Sequence, residues 1–422
     1  MNSKKESLIL EYLSFREAGI PFRHFFNSSA EQWWEKCLKW LDSAGMIFHF
    51  IAKLRQRGDF ETLPLVVQAR LRKNLQDQTE RHACISKEFR EFNQILQGRG
   101  IQYICLKGLT TFPDFVDNPV RRIQSDHDFL VHREDLRQAY ELFLEMGFEP
   151  LDAGLSLIAD HLPTLIRKNG LEWKGNPYDP EIPGAVEIHF RLWDAQHRGL
   201  TIRSLDETWQ SFVRVDVGGV SVPVLSREDA LTFASLHAFR HLLGNDLRLS
   251  HLYELAFFLH HSRRDETFWN SYTEKLRNCP STPKVAATMF RLACHCFGPE
   301  TSPQVLALVA RNLSPAAQLW IRSYGQKEAL SSRGQSKSAL FLQLDFLENQ
   351  SEITSTIVRR LFPLHFPSRT SVLVQIPECQ KSQLRRVYEL FHFFCRIINR
   401  TLFHAVSLIG FLWIYPLWKL RL

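Results

Sequence analysis

The amino-acid sequence predicts an α+β protein: a small mixed sheet with helices, flanked by N- and C-terminal helical regions. Apolar residues recur at helical spacing before residue 98 and again after residue 226. Between them lie short apolar runs bounded by glycine and proline, as strands would be. Hydrophobic residues make up 45% of the 422 and charged residues 23%, an ordinary globular balance that supports a buried core.

Residues 1–97 read as an N-terminal helical region. Trp33, Trp34, Cys37, Leu38 and Leu41 share a helical face, and residues 65–96 are mostly good helix formers. The pattern changes at Gly98-Arg-Gly100, where a core of residues 98–225 begins. Its strand candidates are residues 101–106, 127–131, 186–190 and 219–225. Residues 133–146 carry a helical pattern with Gly147 at the expected C-terminal cap, and residues 169–184 read as a loop. Ser226-Arg-Glu-Asp229 has the Ser-x-x-Asp form of a helix start and opens a helical domain over 226–349. Residues 350–422 form a tail: Pro363, Pro367 and Pro377, then a basic amphipathic segment and an apolar end.

The formal net charge is +7, and most of it sits in that tail. From Gln380 onward Lys381, Arg385, Arg386, Arg396, Arg400, Lys419 and Arg421 face a single acid, Glu389. The near-neutral body makes long nucleic acid an unsuitable partner. Val387, Leu390, Phe391, Phe394 and Ile397 form a helical stripe among arginines. Residues 401–418 then hold no formally charged side chain, and Trp413, Tyr415 and Trp418 suit a membrane interface. Two readings stand: a C-terminal helix packed on the protein's own core, or peripheral contact of residues 385–422 with anionic lipid. Eight scattered cysteines form no CxxC pair and read as reduced core thiols. The polar N-terminus precedes no signal-peptide stretch, so a cytoplasmic location is expected.

The strongest chemical signal is Asp126-His127-Asp128 at a strand start. Alternation along a strand projects Asp126 and Asp128 from one face and His127 from the other. Two adjacent carboxylates repel unless a cation lies between them, and an oxygen-only pair suits Mg²⁺. Upstream, Lys107-Gly108 follows a strand, where glycine lets backbone N–H groups approach a phosphate. Downstream, Glu187 interrupts an apolar strand, so it is either solvent-facing or in need of a partner or metal. His189 shares its strand face; it orients Glu187, touches substrate, or packs structurally. His237 and His241 are four apart on one helix face, without the glutamate of a metalloprotease helix. They either line a cleft or hydrogen-bond between helices.

Taken in order, these pieces resemble the DNA polymerase β-like nucleotidyltransferase superfamily, and more closely its poorly characterised bacterial nucleotidyltransferase family. The matching residues are Leu106-Lys-Gly108, Arg122, Asp126-His-Asp-Phe-Leu-Val131, Val186-Glu-Ile-His-Phe190, and Val222-Pro-Val-Leu-Ser-Arg-Glu-Asp229 leading to His237 and His241. The resemblance implies Asp126, Asp128 and Glu187 as catalytic carboxylates and ligands of Mg²⁺ or Mn²⁺. It sets Lys107 and Gly108 beside the triphosphate. Arg122 would either contact phosphate or brace the site. Three features depart from the pattern: Leu109 follows Gly108 where glycine or serine is usual, His127 stands between the aspartates where an aliphatic residue is usual, and Glu254 occupies the helix that usually carries a late aspartate. The implied function is transfer of a nucleoside monophosphate from NTP to an unidentified acceptor. The alternative is a catalytically idle nucleotide-binding protein, or a membrane-docked regulatory scaffold, of the same fold.

Overall fold

Seven strands form one mixed sheet in the order β3-β4-β5-β2-β1-β7-β6. The computed structural model describes residues 3–16, 30–151, 160–167, 175–193, 200, 202, 208–277, 279, 281–331, 337–362 and 383–421. The strands are β1 (Tyr103–Cys105), β2 (Asp126–Val131), β3 (Phe148–Pro150), β4 (Leu165–Arg167), β5 (Ala185–His189), β6 (Val213–Val217) and β7 (Val220–Val224). Central β2 pairs antiparallel with β1 and parallel with β5, in a register that sets Asp128 beside Glu187.

The four strand runs read from the sequence are β1, β2, β5 and β7, each within a few residues. The other three were not read from the sequence. Strands β3 and β4 have three residues each, too few to show alternation. Strand β6, Val213-Arg-Val-Asp-Val217, does alternate and pairs through a Gly218-Gly219 turn with β7; that hairpin signal was overlooked because the strand lies exposed at the sheet edge.

Helices cover both faces of the sheet. The 34-residue helix Leu65–Gly98 buries Val67 and Leu71 in the helical core, then Phe89, Phe92 and Leu96 against the sheet. On that face it meets Tyr103, Phe129, Val186 and Ile188, together with Leu142 and Phe143 of the helix Leu136–Glu145. The opposite face carries Ile104, Leu106 and Leu130, which pack on Leu225 and Phe233. Phe233 belongs to the helix Arg227–Gly244, whose start is capped by Ser226 accepting from the Asp229 N–H. Helices Leu249–His261, Glu266–Arg277, Thr282–Phe297 and those following build the C-terminal bundle. The N-terminal helices, including Glu31–Ala44 with buried Trp33, Trp34, Cys37 and Leu38, join the same core.

The tail is a single helix, Gln383–Lys419, running through Pro416 near its end. Residues 363–382, with the three prolines and Cys379, lie outside the described residues, as do residues 169–174 of the expected loop. Phe411 and Trp418 pack on Phe341. Most other apolar side chains face outward, Phe394 at 58% and Trp413 at 78% exposure. Packing on the protein's own core therefore covers only a narrow strip of this helix.

Candidate active site

The site lies between the sheet and the helix Arg227–Gly244. On β2, His127, Phe129 and Val131 point towards the helix Leu65–Gly98, which leaves Asp126, Asp128 and Leu130 on the other face. His127 sits edge-on to Phe92 with Nε2 3.4 Å from Glu88 Oε2, so the residue between the two aspartates serves the opposite core. Parallel pairing of β2 with β5 then brings Glu187 and His189 to the aspartate face.

A compact charged cluster results. Lys107 Nζ lies 3.1 Å from Asp128 Oδ1 and 3.8 Å from Asp126 Oδ2. His189 Nε2 lies 3.2 Å from the same Asp128 oxygen and 3.5 Å from Glu187 Oε2. Thr164 Oγ1 donates to Glu187 Oε1 at 3.3 Å. Ligand atoms of Asp128, Glu187 and His189 fall within 4.8 Å of one another.

The electrostatics follow from these contacts. Burial alone would push the Glu187 carboxyl up, but hydrogen bonding to His189 and the Lys107 charge outweigh it and hold the group down at about 2. Burial likewise opposes ionisation of Asp128, yet Lys107 and His189 keep it below the usual carboxylate range. The His189 imidazole, which desolvation would keep neutral, is instead raised to about 9 by its two carboxylate partners. The Lys107 ammonium loses by burial and gains more from Asp126, Asp128 and Glu187, so it too is raised. At neutral pH Asp128, Glu187, Lys107 and His189 are therefore all charged.

Local backbone geometry holds the cluster in place. Gly108 has φ +80°, and a Cβ there would fall 2.5 Å from Gln124 Nε2. That amide donates to the Asp126 carbonyl at 2.8 Å, so glycine lets the turn approach the strand start. Arg81 of the long helix donates to the carbonyls of Asp179, Ile182 and Gln124, tying the approaches to β5 and β2 together. Arg240 pairs with buried Asp160 and pins the covering helix to the segment beside β5.

The remaining sequence-selected residues divide. Arg122 pairs with Glu254 at 3.1 Å, a contact that fits the bracing role. Glu254 is engaged there rather than with Asp126 and Asp128. His237 Nε2 lies 3.4 Å from Lys107 Nζ and 3.2 Å from His241 Nε2, so both histidines border the charged cluster. Burial, then the charge of Lys107, keeps His237 well below the ordinary imidazole value. Sequence reasoning missed His251, whose ring centroid is 4.9 Å from that of His237 and 4.8 Å from that of His241. It also missed Thr164, and it missed Lys107 as the cation between the aspartates. Only the position of Lys107 next to a strand-ending glycine hinted at this.

Residues 30–298 match a protein family described as uncharacterised nucleotidyltransferase. A solved structure of an antigenic nucleotidyltransferase-like protein from Paracoccidioides brasiliensis aligns with 48% of this chain and 91% of that one, at 13% identity and a TM-score of 0.28. No curated protein matches the chain.

Proposed function

The chain belongs to the uncharacterised nucleotidyltransferase family, and from that premise we propose that it moves a nucleoside monophosphate from an NTP to an acceptor, with release of pyrophosphate. The observation that carries this reading is the alignment of Asp128 and Glu187 on adjacent parallel strands, with Asp126 on the same face and Lys107 against both aspartates.

The donor set suits a divalent ion. Asp128 Oδ2 is buried without a hydrogen-bond partner, which leaves a charged oxygen free to ligate. Asp126, Asp128 and Glu187 would hold Mg²⁺ or Mn²⁺, hard cations that prefer carboxylate oxygens. Such an ion neutralises charge on the phosphate oxygens when bound. The protein's own groups supply the rest. Lys107 offers an ammonium to the triphosphate, and Gly108 exposes backbone N–H groups beside it. His189 donates to Asp128 and Glu187 and fixes both carboxylates in orientation. In the transfer an acceptor oxygen forms a bond to the α-phosphorus as the bond to the β-phosphate bridging oxygen breaks; pyrophosphate leaves with that electron pair, and the acceptor's proton passes to solvent water. Glu187, held ionised at about 2, is too weak a base to take the acceptor proton efficiently at neutral pH and suits the ligand role.

Incubation with each labelled NTP and Mg²⁺ or Mn²⁺ tests the proposal through pyrophosphate release and label transfer. A second reading, an idle nucleotide binder, draws on Lys107 already occupying the space between the aspartates and on Leu109 after the glycine. Saturable NTP binding with no pyrophosphate under any of these conditions would favour it.

Membrane contact of the tail belongs to the same proposal. The helix Gln383–Lys419 is long and apolar enough over residues 390–419 to cross a membrane, by length and composition, and only 6% of its apolar window is buried. Exposed Phe391, Phe394, Val406, Ile409 and Trp413 add up to a larger apolar surface than a soluble monomer usually leaves uncovered. Basic residues at both ends favour anionic lipid as the surface that covers it.

A further inference from the structure

A second cluster of ligand-type side chains lies outside the carboxylates. His237 and His241 project from one face of the helix Arg227–Gly244, and His251 from the first turn of the helix Leu249–His261. One ring nitrogen from each lies within 4.8 Å of the others, and all three rings are half-buried. His237 Nε2 and His241 Nε2 stand 3.2 Å apart. Two imidazole nitrogens on one tetrahedral zinc, at ~2.0–2.1 Å from the metal, are separated by about 3.3 Å. The observed spacing already matches an edge of that tetrahedron. His251 Nδ1 is buried with no hydrogen-bond partner.

We propose that His237, His241 and His251 bind a transition-metal ion of the Zn²⁺ class, at a site separate from the carboxylates that would take Mg²⁺. Imidazole is a borderline-soft donor and selects zinc-like ions, whereas the neighbouring oxygen-only set selects hard ones. The Asp246 carboxylate stands behind His241, its Oδ2 3.0 Å from Nδ1 but out of hydrogen-bond alignment, while Nε2 faces His237; a small turn of the ring would pair the two. A carboxylate behind a ligating imidazole fixes its tautomer and raises its basicity. The ion would clamp the two helices together. Lys107, 3.4 Å from His237 Nε2, would remain with Asp128, its 3.1 Å partner. Three protein ligands leave the fourth position to water or to a substrate oxygen.

The test uses the full chain, stripped with chelator and titrated with Zn²⁺ alone by calorimetry, and with Co²⁺ by visible absorption. The expected result is one ion per chain, bound undiminished by Asp128→Asn but weakened more than about tenfold by His251→Gln and by Asp246→Asn. The proposal is overturned if the unsubstituted protein takes up no Zn²⁺, if His251→Gln binds as well as the parent, or if Asp128→Asn removes the ion. Should His251→Gln fail to fold, X-ray absorption on the zinc-loaded parent protein decides. Scattering from three imidazoles supports the site, and an oxygen-only shell overturns it.

Discussion

Replacing Lys107 with methionine tests whether an internal cation holds the carboxylate cluster together. Methionine keeps the unbranched apolar stem of the side chain, ends one atom short, and removes the ammonium. The Lys107 side chain is 14% exposed and that of Asp128 1%, so the pair is largely shielded from water. Removing one partner of a buried ion pair costs about 3–5 kcal/mol, because the other charge is left uncompensated. Here the lower figure applies: Asp128 keeps His189 at 3.2 Å, and Asp126, with a side chain 28% exposed, can turn towards solvent. A loss of about 3 kcal/mol corresponds to a fall in Tm of roughly 6–12 °C for a domain of ordinary size. A divalent ion should then restore much of it, since the variant presents the same carboxylates with no competing ammonium. Ligand at a hundred times its Kd contributes about 2.7 kcal/mol. The assay is thermal unfolding of parent and Lys107→Met, each with and without Mn²⁺. A variant that melts with the parent, or one whose Tm responds to Mn²⁺ no more than the parent's, would refute the reasoning.

On the proposed function, Asp126→Asn and Asp128→Asn should each lower NTP-dependent pyrophosphate release by at least about a hundredfold while the far-ultraviolet circular dichroism stays unchanged. His189, raised from 6.5 to about 9, contributes stability that is complete below about pH 6.5 and is lost as pH rises through about 9. Melts between pH 6 and 9.5 should therefore show a slope that His189→Gln flattens, and parallel slopes would contradict the pairing. Gly108→Ala places a Cβ at φ +80° and 2.5 Å from Gln124 Nε2, so it should cost more than about 1 kcal/mol in a denaturant titration. Sedimentation with anionic vesicles should fall when Phe394 and Trp413, both exposed, are replaced by glutamate; equal sedimentation would remove the tail as the anchor.

Much of the site was legible because strand alternation is a strict period. Asp126 and Asp128 could be set on one face and His127 on the other from three consecutive letters, and the structure gives that arrangement. Ser226 and Gly147 announced a helix start and a helix end through local backbone chemistry, and both sit there. Long-range pairing was not legible. Nothing in the two segments fixes the parallel register of Asp128 with Glu187, which depends on how the intervening chain crosses the sheet. His251 escaped notice because it lies on the next helix, ten residues beyond His241 and in no shared periodic pattern. The tail's sequence suggested an amphipathic piece followed by an apolar one, and the structure joins them in one helix. Pro416 stands within four residues of the helix end, so the i→i−4 bond it removes is followed by only about one more turn of helix.

Lys107 links the two halves of the site. Its ammonium touches carboxylates from β2 on one side and an imidazole from the helix Arg227–Gly244 on the other. By formal charge, three carboxylates, Asp126, Asp128 and Glu187, face Lys107 and protonated His189, which leaves the cluster about one unit negative. A site of that sign repels a bare triphosphate and attracts a cation. On the proposed reading the nucleotide would therefore arrive with its divalent ion, and the ion's entry would free the ammonium from Asp128 to meet the phosphates. Each of the two ligands would then raise the other's affinity by the same factor, as linkage requires. The lysine that neutralises the empty cluster would thus become the group that receives the substrate, and one side chain explains both why the buried carboxylates are tolerated without metal and why the site would bind NTP with it.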